Sequence, residues 1–309
     1  MRSVVFAYHD MGLAGLRALR RAGIEIACIF SHEDDPDENC WFGSVKEWAV
    51  QRAIPLYCPV NVNQPEWIGR IAALRPDVIF SFYYRHMLKD EFLVIPRRGA
   101  YNLHGSLLPT YRGRCPVNWV LVQGERQTGV TLHHMVTKAD AGDIVGQKVV
   151  PIERTDTAVI LYKKLCDAAG GLLDELLPQM KSGTAPRLPQ DIGKGSYFGG
   201  RRPEDGRIDW QWPAERIYNM IRAVTEPYPG AFCLLPDGTK LILWWATPAE
   251  ESARLPVLPP GRVEIEGNRV LVRTGQGRLH LADVETINGR LTGEGLIGYF
   301  NNREGLVLS

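Results

Sequence analysis

"SVVFAYHDMGLAGLRALRRAGIEIACIF", residues 3–30, decides the fold. Its two ends, 3–8 and 24–30, are short continuous runs of apolar, β-branched and aromatic residues, the signature of strands buried on both faces. Between them "GLAGLRALRRAG" (12–23) reads as an amphipathic helix. Strand, helix, strand is a βαβ unit, and it needs a parallel sheet to sit in. Further strands are expected at "PLYCP" (55–59), "DVIFSFYY" (77–84), "GAYNLH" (99–104) and "TGVTLHHM" (128–135), with helices over 43–53 and 65–75. Alternation on this scale predicts an open α/β domain over residues 1–190.

"TDTAVILYKKLCDAAGGLLDELLPQMKSG" (155–183) places apolar residues at 161, 165, 168, 172, 176 and 180. Steps of three and four predict one long helix, capped by Thr155 or Asp156 and stopped near Gly183. The texture then changes. A Gly- and Pro-rich stretch reads as a crossing segment, with the linker at 191–204. One helix over 213–224 is followed only by strands, with hairpin signals at Asp237-Gly238, at Gly267 and over 275–277. A second, smaller β-barrel-like domain over 205–309 is the expectation.

Composition narrows the partners. The 309 residues are 45% hydrophobic and 23% charged, values of an ordinary globular chain. With 36 basic and 35 acidic residues the net charge is +1, which argues against a nucleic-acid partner, since that needs a concentrated basic face. No apolar run is long enough to span a bilayer, and "MRSVVFAYHDMG" is no secretory signal, so no membrane insertion and a cytoplasmic location are predicted. Six cysteines lie scattered at 28, 40, 58, 115, 166 and 233 without a CxxC, which predicts reduced thiols and no metal.

The chemistry gathers at "YNLHGSLLPTYRGRCP" (101–116). Asn102 and His104, two apart on a strand, share a face. In an open parallel sheet the crevice lies at the carboxyl ends of the strands, where the loops 85–90 and 136–143 also open. The second loop carries Asp140 and Asp143, and spacing does not choose between them. A carboxylate beside a histidine fixes its tautomer and raises its pKa. An asparagine amide aimed at a developing oxyanion is worth about 2.7–4 kcal/mol in acyl transfer. No serine sits in a nucleophile elbow and no cysteine is in register with a base, so the set suggests attack by the substrate's own nucleophile with general acid–base help. The same residues also read as a satisfied strand-end histidine and a turn-capping asparagine, and pattern alone leaves both readings open. "HDMGLAGL" lacks the GxGxxG order, so no NAD is expected. His133-His134 reads as structural, without partner or metal spacing, and Tyr83-Tyr84 and Trp244-Trp245 read as packing.

"NLHGSLLPTYRGRCPVNW" followed by "TGVTLHHMVTKADAGDIVGQ" resembles the signature of the 10-formyltetrahydrofolate-dependent formyltransferases, whose members act on methionyl-tRNA, on sugar nucleotides and on glycinamide ribonucleotide. "VVFAYHDMG", "DVIFSFYYRHML", "NWVLVQGE", "FGGRRPEDG" and "IRAVTEPYPGAF" extend the resemblance over about residues 1–235, and more loosely beyond. They look like the branch that formylates UDP-4-amino-4-deoxy-L-arabinose, usually found as the N-terminal half of a bifunctional polymyxin-resistance enzyme of lipid A (lipopolysaccharide) modification. The resemblance implies a Rossmann-like domain followed by an OB-like one. It implies that Asn102 steadies the oxyanion, that His104 transfers the proton, and that Asp140, rather than Asp143, orients His104. For the 10-formyltetrahydrofolate cosubstrate it implies His86, Met87 and Leu88, Arg114, and the run Val136, Thr137, Lys138, Ala139 and Asp140.

Within that family the tRNA enzyme is expected to carry a basic insertion after its second strand. Here "SHEDDPDENC" (31–40) holds five acids and no Lys or Arg, which favours a sugar nucleotide over tRNA. Arg201 and Arg202 offer paired charge-assisted bonds to a diphosphate, or are a solvated loop. No GxGxxG-bearing unit follows, so the NAD-dependent decarboxylase of that branch is not expected in this chain. Hydrolysis of the folate and a homo-oligomeric assembly both stay open on the sequence.

Overall fold

The computed structural model describes residues 1–34, 39–250 and 258–309. They divide into two compact units, one of Met1–Pro116, Arg126–Ile152 and Leu161–Gly199, the other of Val117–Glu125, Glu153–Ile160 and Gly200–Ser309. Along the chain run β1 (Arg2–Ala7), α1 (His9–Arg21), β2 (Glu25–Phe30), α2 (Val45–Val50), β3 (Leu56–Tyr57), α3 (Pro65–Ala73), β4 (Val78–Phe82), α4 (Asp90–Leu93) and β5 (Ala100–His104). Then come β6 (Arg112–Gly113), α5 (Pro116–Val122), β7 (Gln127–His134), β8 (Ile144–Pro151), α6 (Ala158–Ser182) and β9 (Tyr197–Phe198).

Seven strands of the first unit make one sheet in the order β3-β2-β1-β4-β5-β7-β8. The first five of that order run parallel, as the continuous apolar runs require. The last two turn antiparallel. Loop 135–143 joins β7 to β8 with no crossover helix, and a parallel return would need a connection of a dozen residues or more. β8 escapes the sequence reading because Gly146, Gln147 and Lys148 break its apolar run, while Val145 and Val150 are the side chains it buries. The order reverses between β1 and β4, and this switch point opens the crevice at the strands' carboxyl ends. Beneath it Val4, Phe6, Phe30, Ile79 and Phe92 pack as a dry core, with Phe6 stacked on Phe30 at 5.0 Å.

α1 is held on both sides. The Met11 N–H donates to the Tyr162 hydroxyl at 2.9 Å, and the Arg21 guanidinium clasps both Asp174 oxygens at 2.9 Å. α6 begins later than the sequence suggests: Thr157 Oγ1 accepts the Ile160 N–H, whereas Asp156 caps the preceding turn through the Glu153 N–H.

The second unit carries α7 (Ala214–Val224), β10 (Ala231–Leu234), β11 (Lys240–Pro248), β12 (Val263–Glu266), β13 (Arg269–Arg273), β14 (Arg278–Thr286), β15 (Gly289–Thr292) and α8 (Gly293–Asn301). Its sheet is antiparallel throughout, in the order β10-β11-β14-β13-β12 with β15 on β14. Residues 306–309 bond to both edges. Leu234 and Ser309 exchange two backbone hydrogen bonds beside β10, while Val263 donates to Leu306 and Leu308 donates to Gly261 beside β12. Both edge strands are thus satisfied there, which is how a small barrel disposes of its edges.

At Gly15 of α1 a β-carbon would collide with the ring of Phe82, itself fully buried. Gly15→Ala gains up to about 1 kcal/mol of helix propensity. Overpacking against an immovable ring costs roughly 1–3 kcal/mol, so a net loss is expected. Urea unfolding measures it, and an unchanged or raised midpoint would show that the ring has room.

Candidate active site

Asn102 and His104 stand at the carboxyl end of β5, on one face, as their spacing requires. The antiparallel partner β7 sets His133 directly opposite Asn102. Because β7 runs antiparallel, loop 135–143 leaves it beside Ala100 at the amino end of β5, not at the carboxyl edge expected from the sequence. It then swings Asp140 back over the strand, and the three polar side chains converge on its carboxylate. Oδ2 lies 3.5 Å from His104 Nδ1 and accepts the Gly113 N–H at 2.9 Å. Oδ1 accepts from Asn102 Nδ2 at 3.2 Å and lies 3.4 Å from His133 Nε2. Asp143 is elsewhere: its carboxylate takes Arg187 Nε at 2.7 Å on the exposed side of the loop.

Each contact has a chemical consequence. His104 Nε2 lies 2.8 Å from the Tyr111 carbonyl, which can only accept, so Nε2 donates. Both ring nitrogens therefore face acceptors, an arrangement that a doubly protonated imidazolium satisfies. His133 Nδ1 faces the His134 carbonyl at 2.8 Å and donates to it, and Nε2 lies 3.2 Å from the Asn102 amide nitrogen, which can only donate. The Asn102 amide thus spends both hydrogens, one on Asp140 and one on His133. Burial by itself would raise the Asp140 carboxyl, but His104, His133 and the Gly113 N–H outweigh it and hold the group well below the usual carboxylate range. Asp140 adopts φ +51°, in the left-handed region that costs a non-glycine residue roughly 1–2 kcal/mol. The turn closes because Gly142 has no β-carbon: one there would strike the His134 carbonyl.

The residues expected to hold a folate lie on two loops that are tied together. Thr137 Oγ1 donates to Asp90 Oδ1 at 2.8 Å, joining the run 136–140 to the start of α4. Asn63 fixes the loop 86–88 by donating to the Met87 carbonyl and accepting the Lys89 N–H. Met87 and Val136 are exposed apolar side chains on these loops, Lys138 is exposed and Ala139 half-buried, whereas Leu88 turns into the core. His86 packs edge-on to His32 at 4.8 Å. Arg114 is exposed, with its backbone N–H donated to the Phe198 carbonyl at 3.0 Å. In the second unit Arg201 lies over the Trp119 ring at 4.6 Å and donates to the Asp205 carbonyl, while the Arg202 N–H is capped by Asp205. Of the acidic stretch 31–40, residues 35–38 lie outside the described residues; Glu33 pairs with Lys46, and Asp34 accepts the Tyr8 hydroxyl.

Two features went unread in the sequence. His133, expected to be structural and partnerless, touches both Asn102 and Asp140, and only the antiparallel register of β5 and β7 reveals it. His9 begins α1 with φ +66°, is buried, and stacks on Phe42 at 3.7 Å with Trp41 and Tyr162 edge-on at 4.7 Å. Tyr83, at the carboxyl end of β4, closes the cage at 5.3 Å. Among the described residues no group of His, Cys, Asp and Glu is arranged to hold a metal ion, and no helix is long and apolar enough to cross a membrane.

Burial, and then the positive charge of Arg85, push His9 down to about 3. A proton that the unfolded chain takes up below pH 6.5 is refused by the folded one until about 3, so His9 makes the fold weaker as pH falls through that window. By pH 5 the loss from this one group is roughly 2 kcal/mol. His9→Asn, tolerant of positive φ, should flatten the fall by that amount in urea-unfolding free energies taken at neutral pH and near pH 5. A variant-to-wild-type difference independent of pH would mean that His9 titrates normally.

Residues 1–177 match the family model described as "Formyl transferase", and 201–293 match "Formyl transferase, C-terminal domain". Among solved structures, the chain is similar to WlaRD, a sugar 3N-formyl transferase crystallised with dTDP and 5-N-formyl-THF, at 18% identity and TM-score 0.69, covering 93% of this chain and 98% of that one. It is similar to the N-formyltransferase of Helicobacter canadensis in complex with folinic acid and dTDP-3-aminofucose, at 19% identity and TM-score 0.67, covering 91% and 98%. HypX of Aquifex aeolicus in complex with tetrahydrofolic acid is matched at 19% identity and TM-score 0.60, over 98% of this chain and 48% of that one. At such identities the structures speak for the fold, and the family model speaks for more: this chain belongs to the formyl transferase family and is an N-formyltransferase.

Proposed function

We propose that the chain transfers the formyl group of 10-formyltetrahydrofolate to the amino group of a nucleotide-linked sugar, with UDP-4-amino-4-deoxy-L-arabinose as the acceptor, a step of lipid A modification. The observation that carries the reading is the convergence of Asn102, His104 and His133 on the Asp140 carboxylate at the carboxyl end of β5. The sugar nucleotides and folates bound by structural relatives support the substrate classes. The arabinose nucleotide rests on the resemblance of the motifs.

In this mechanism the free amine attacks the formyl carbon, and the carbonyl electron pair moves onto oxygen. His104 is the proton-transferring group and Asp140 its orienting partner. In the resting arrangement His104 Nε2–H is given to the Tyr111 carbonyl and both Asn102 amide hydrogens point inward. The reacting group must therefore take the place of the Tyr111 carbonyl on Nε2, and one Asn102 hydrogen must swing to the oxyanion. His104 gives its Nε2 hydrogen to N10 as the bond from carbon to N10 breaks, the attacking amine's proton takes its place on Nε2, and tetrahydrofolate leaves as the formamide forms. His133 keeps Asn102 supplied with an acceptor on its far side while this happens.

Conversion of 10-formyltetrahydrofolate to tetrahydrofolate, followed spectroscopically, tests the reading. Turnover that depends on the arabinose nucleotide is expected. Dependence on a different 4-amino sugar nucleotide, or on methionyl-tRNA, would replace the acceptor, and turnover with no acceptor would make the chain a hydrolase. His104→Ala should lose at least about 10²–10⁴-fold in kcat with the fold intact. Asp140→Asn should cost most of the rate and Asp143→Asn little, because Asp143 faces Arg187 rather than His104. The reverse order would put the working carboxylate at the other position.

A further inference from the structure

We propose that Gln190, on the Gly- and Pro-rich stretch that reads as a crossing segment, is a positioning residue that holds Asp140 against His104. The inference rests on the reading of Asp140 as the partner of His104. Gln190 Nε2 donates to the Asp140 carbonyl at 3.2 Å and also to the Gly142 carbonyl. It therefore grips the left-handed turn at the strained residue and again two residues beyond it. Two carbonyl acceptors fix which end of the amide is nitrogen, since an oxygen there would face two lone pairs.

The segment around Gln190 is laid along the site. Leu188 exchanges two backbone hydrogen bonds with Ile144, just past the Asp140 turn, at 2.8 and 2.9 Å. Further on, Ser196 Oγ accepts the Tyr111 N–H at 2.8 Å, β9 pairs with β6 alongside Gly113, and the Phe198 ring stacks on Tyr111 at 5.0 Å. Gly113 is the residue whose N–H meets Asp140 Oδ2. One strap thus sets Asp140 twice: its backbone through Gln190, and its carboxylate through Gly113.

A packing role does not account for Gln190. Its Oε1 is buried and has no hydrogen-bond partner among the described residues. A methionine would fill the same space without leaving an acceptor unsatisfied. The amide makes sense through its two donated bonds, and those end on the turn that carries Asp140.

The test is a double-mutant cycle on the full chain, in the same turnover assay, with melting followed by circular dichroism. Gln190→Met should lower kcat roughly 10–100-fold with KM for either substrate little changed, because Asp140 loses its set position while the binding loops stay. In an Asp140→Asn background the same change should cost at most about 3-fold, since a residue acting through Asp140 has nothing left to act on. Losses that multiply, or a wild-type kcat in Gln190→Met, would overturn the proposal. Gln190→Glu is the second variant and keeps the volume, so it decides if the methionine variant fails to fold. As a carboxylate it cannot donate, and as a carboxylic acid it can. Its kcat relative to wild type should therefore recover on lowering the pH to about 5.5, and a ratio flat with pH would overturn the proposal too. His104→Ala run alongside separates the two readings. If it retains activity the assignment of the site falls, whereas if it is dead and Gln190→Met is normal only the strap falls.

Discussion

One carboxylate organises the site. Asp140 collects the Gly113 N–H, an Asn102 amide hydrogen and the edges of two imidazoles, and it does so from a backbone conformation that a side chain seldom adopts. A buried anion is tolerable only with that many donors around it. Take the donors away and burial would push the carboxyl toward its neutral form. The neighbours in turn depend on the anion. His104 Nδ1 and one Asn102 hydrogen are directed at Asp140, so the cluster stands or falls as a unit.

The place where this happens follows from the sheet. Five parallel strands deliver their carboxyl ends to one edge, and β7 then returns antiparallel beside β5. A parallel neighbour would have sent its own carboxyl end, and a helix, in the same direction. The antiparallel one brings a residue from the end of its run, His133, opposite Asn102 in the middle of β5, and leaves only a short loop to bring Asp140 back over both. The change of strand direction and the convergence of polar groups are therefore one structural fact.

Much of this was legible in the residues. Strands with continuous apolar runs announce burial on both faces, and β1, β2, β4 and β5 fall where those runs are. Asn102 and His104 were placed by spacing alone, because the two-residue period of a strand leaves no freedom. β8 was hidden, since a strand at the antiparallel edge has one solvated face and mixes Gly, Gln and Lys into its run. Choosing between Asp140 and Asp143 was beyond spacing, because it depends on a left-handed residue and on a glycine that admits the turn beneath the His134 carbonyl. His133 was hidden for a different reason: its partner lies across a ladder whose register no local pattern encodes.

The stretch between α6 and the second unit shows how composition can mislead. Gly, Pro and Ser signal a connection without regular structure, and over 188–198 the chain forms only a bridge at Leu188, one 3-10 turn (Ile192–Lys194) and the two-residue β9. Yet irregular backbone beside a buried charge is useful because its side chains and carbonyls are not committed to a ladder. Ser196, Gln190 and the backbone of Leu188 and Phe198 are spent on the two loops that carry Tyr111, Gly113 and Asp140. A helix in that position would have tied up its own N–H and C=O groups and offered only side chains. Low regularity here is what allows one short segment to brace two loops from outside the sheet.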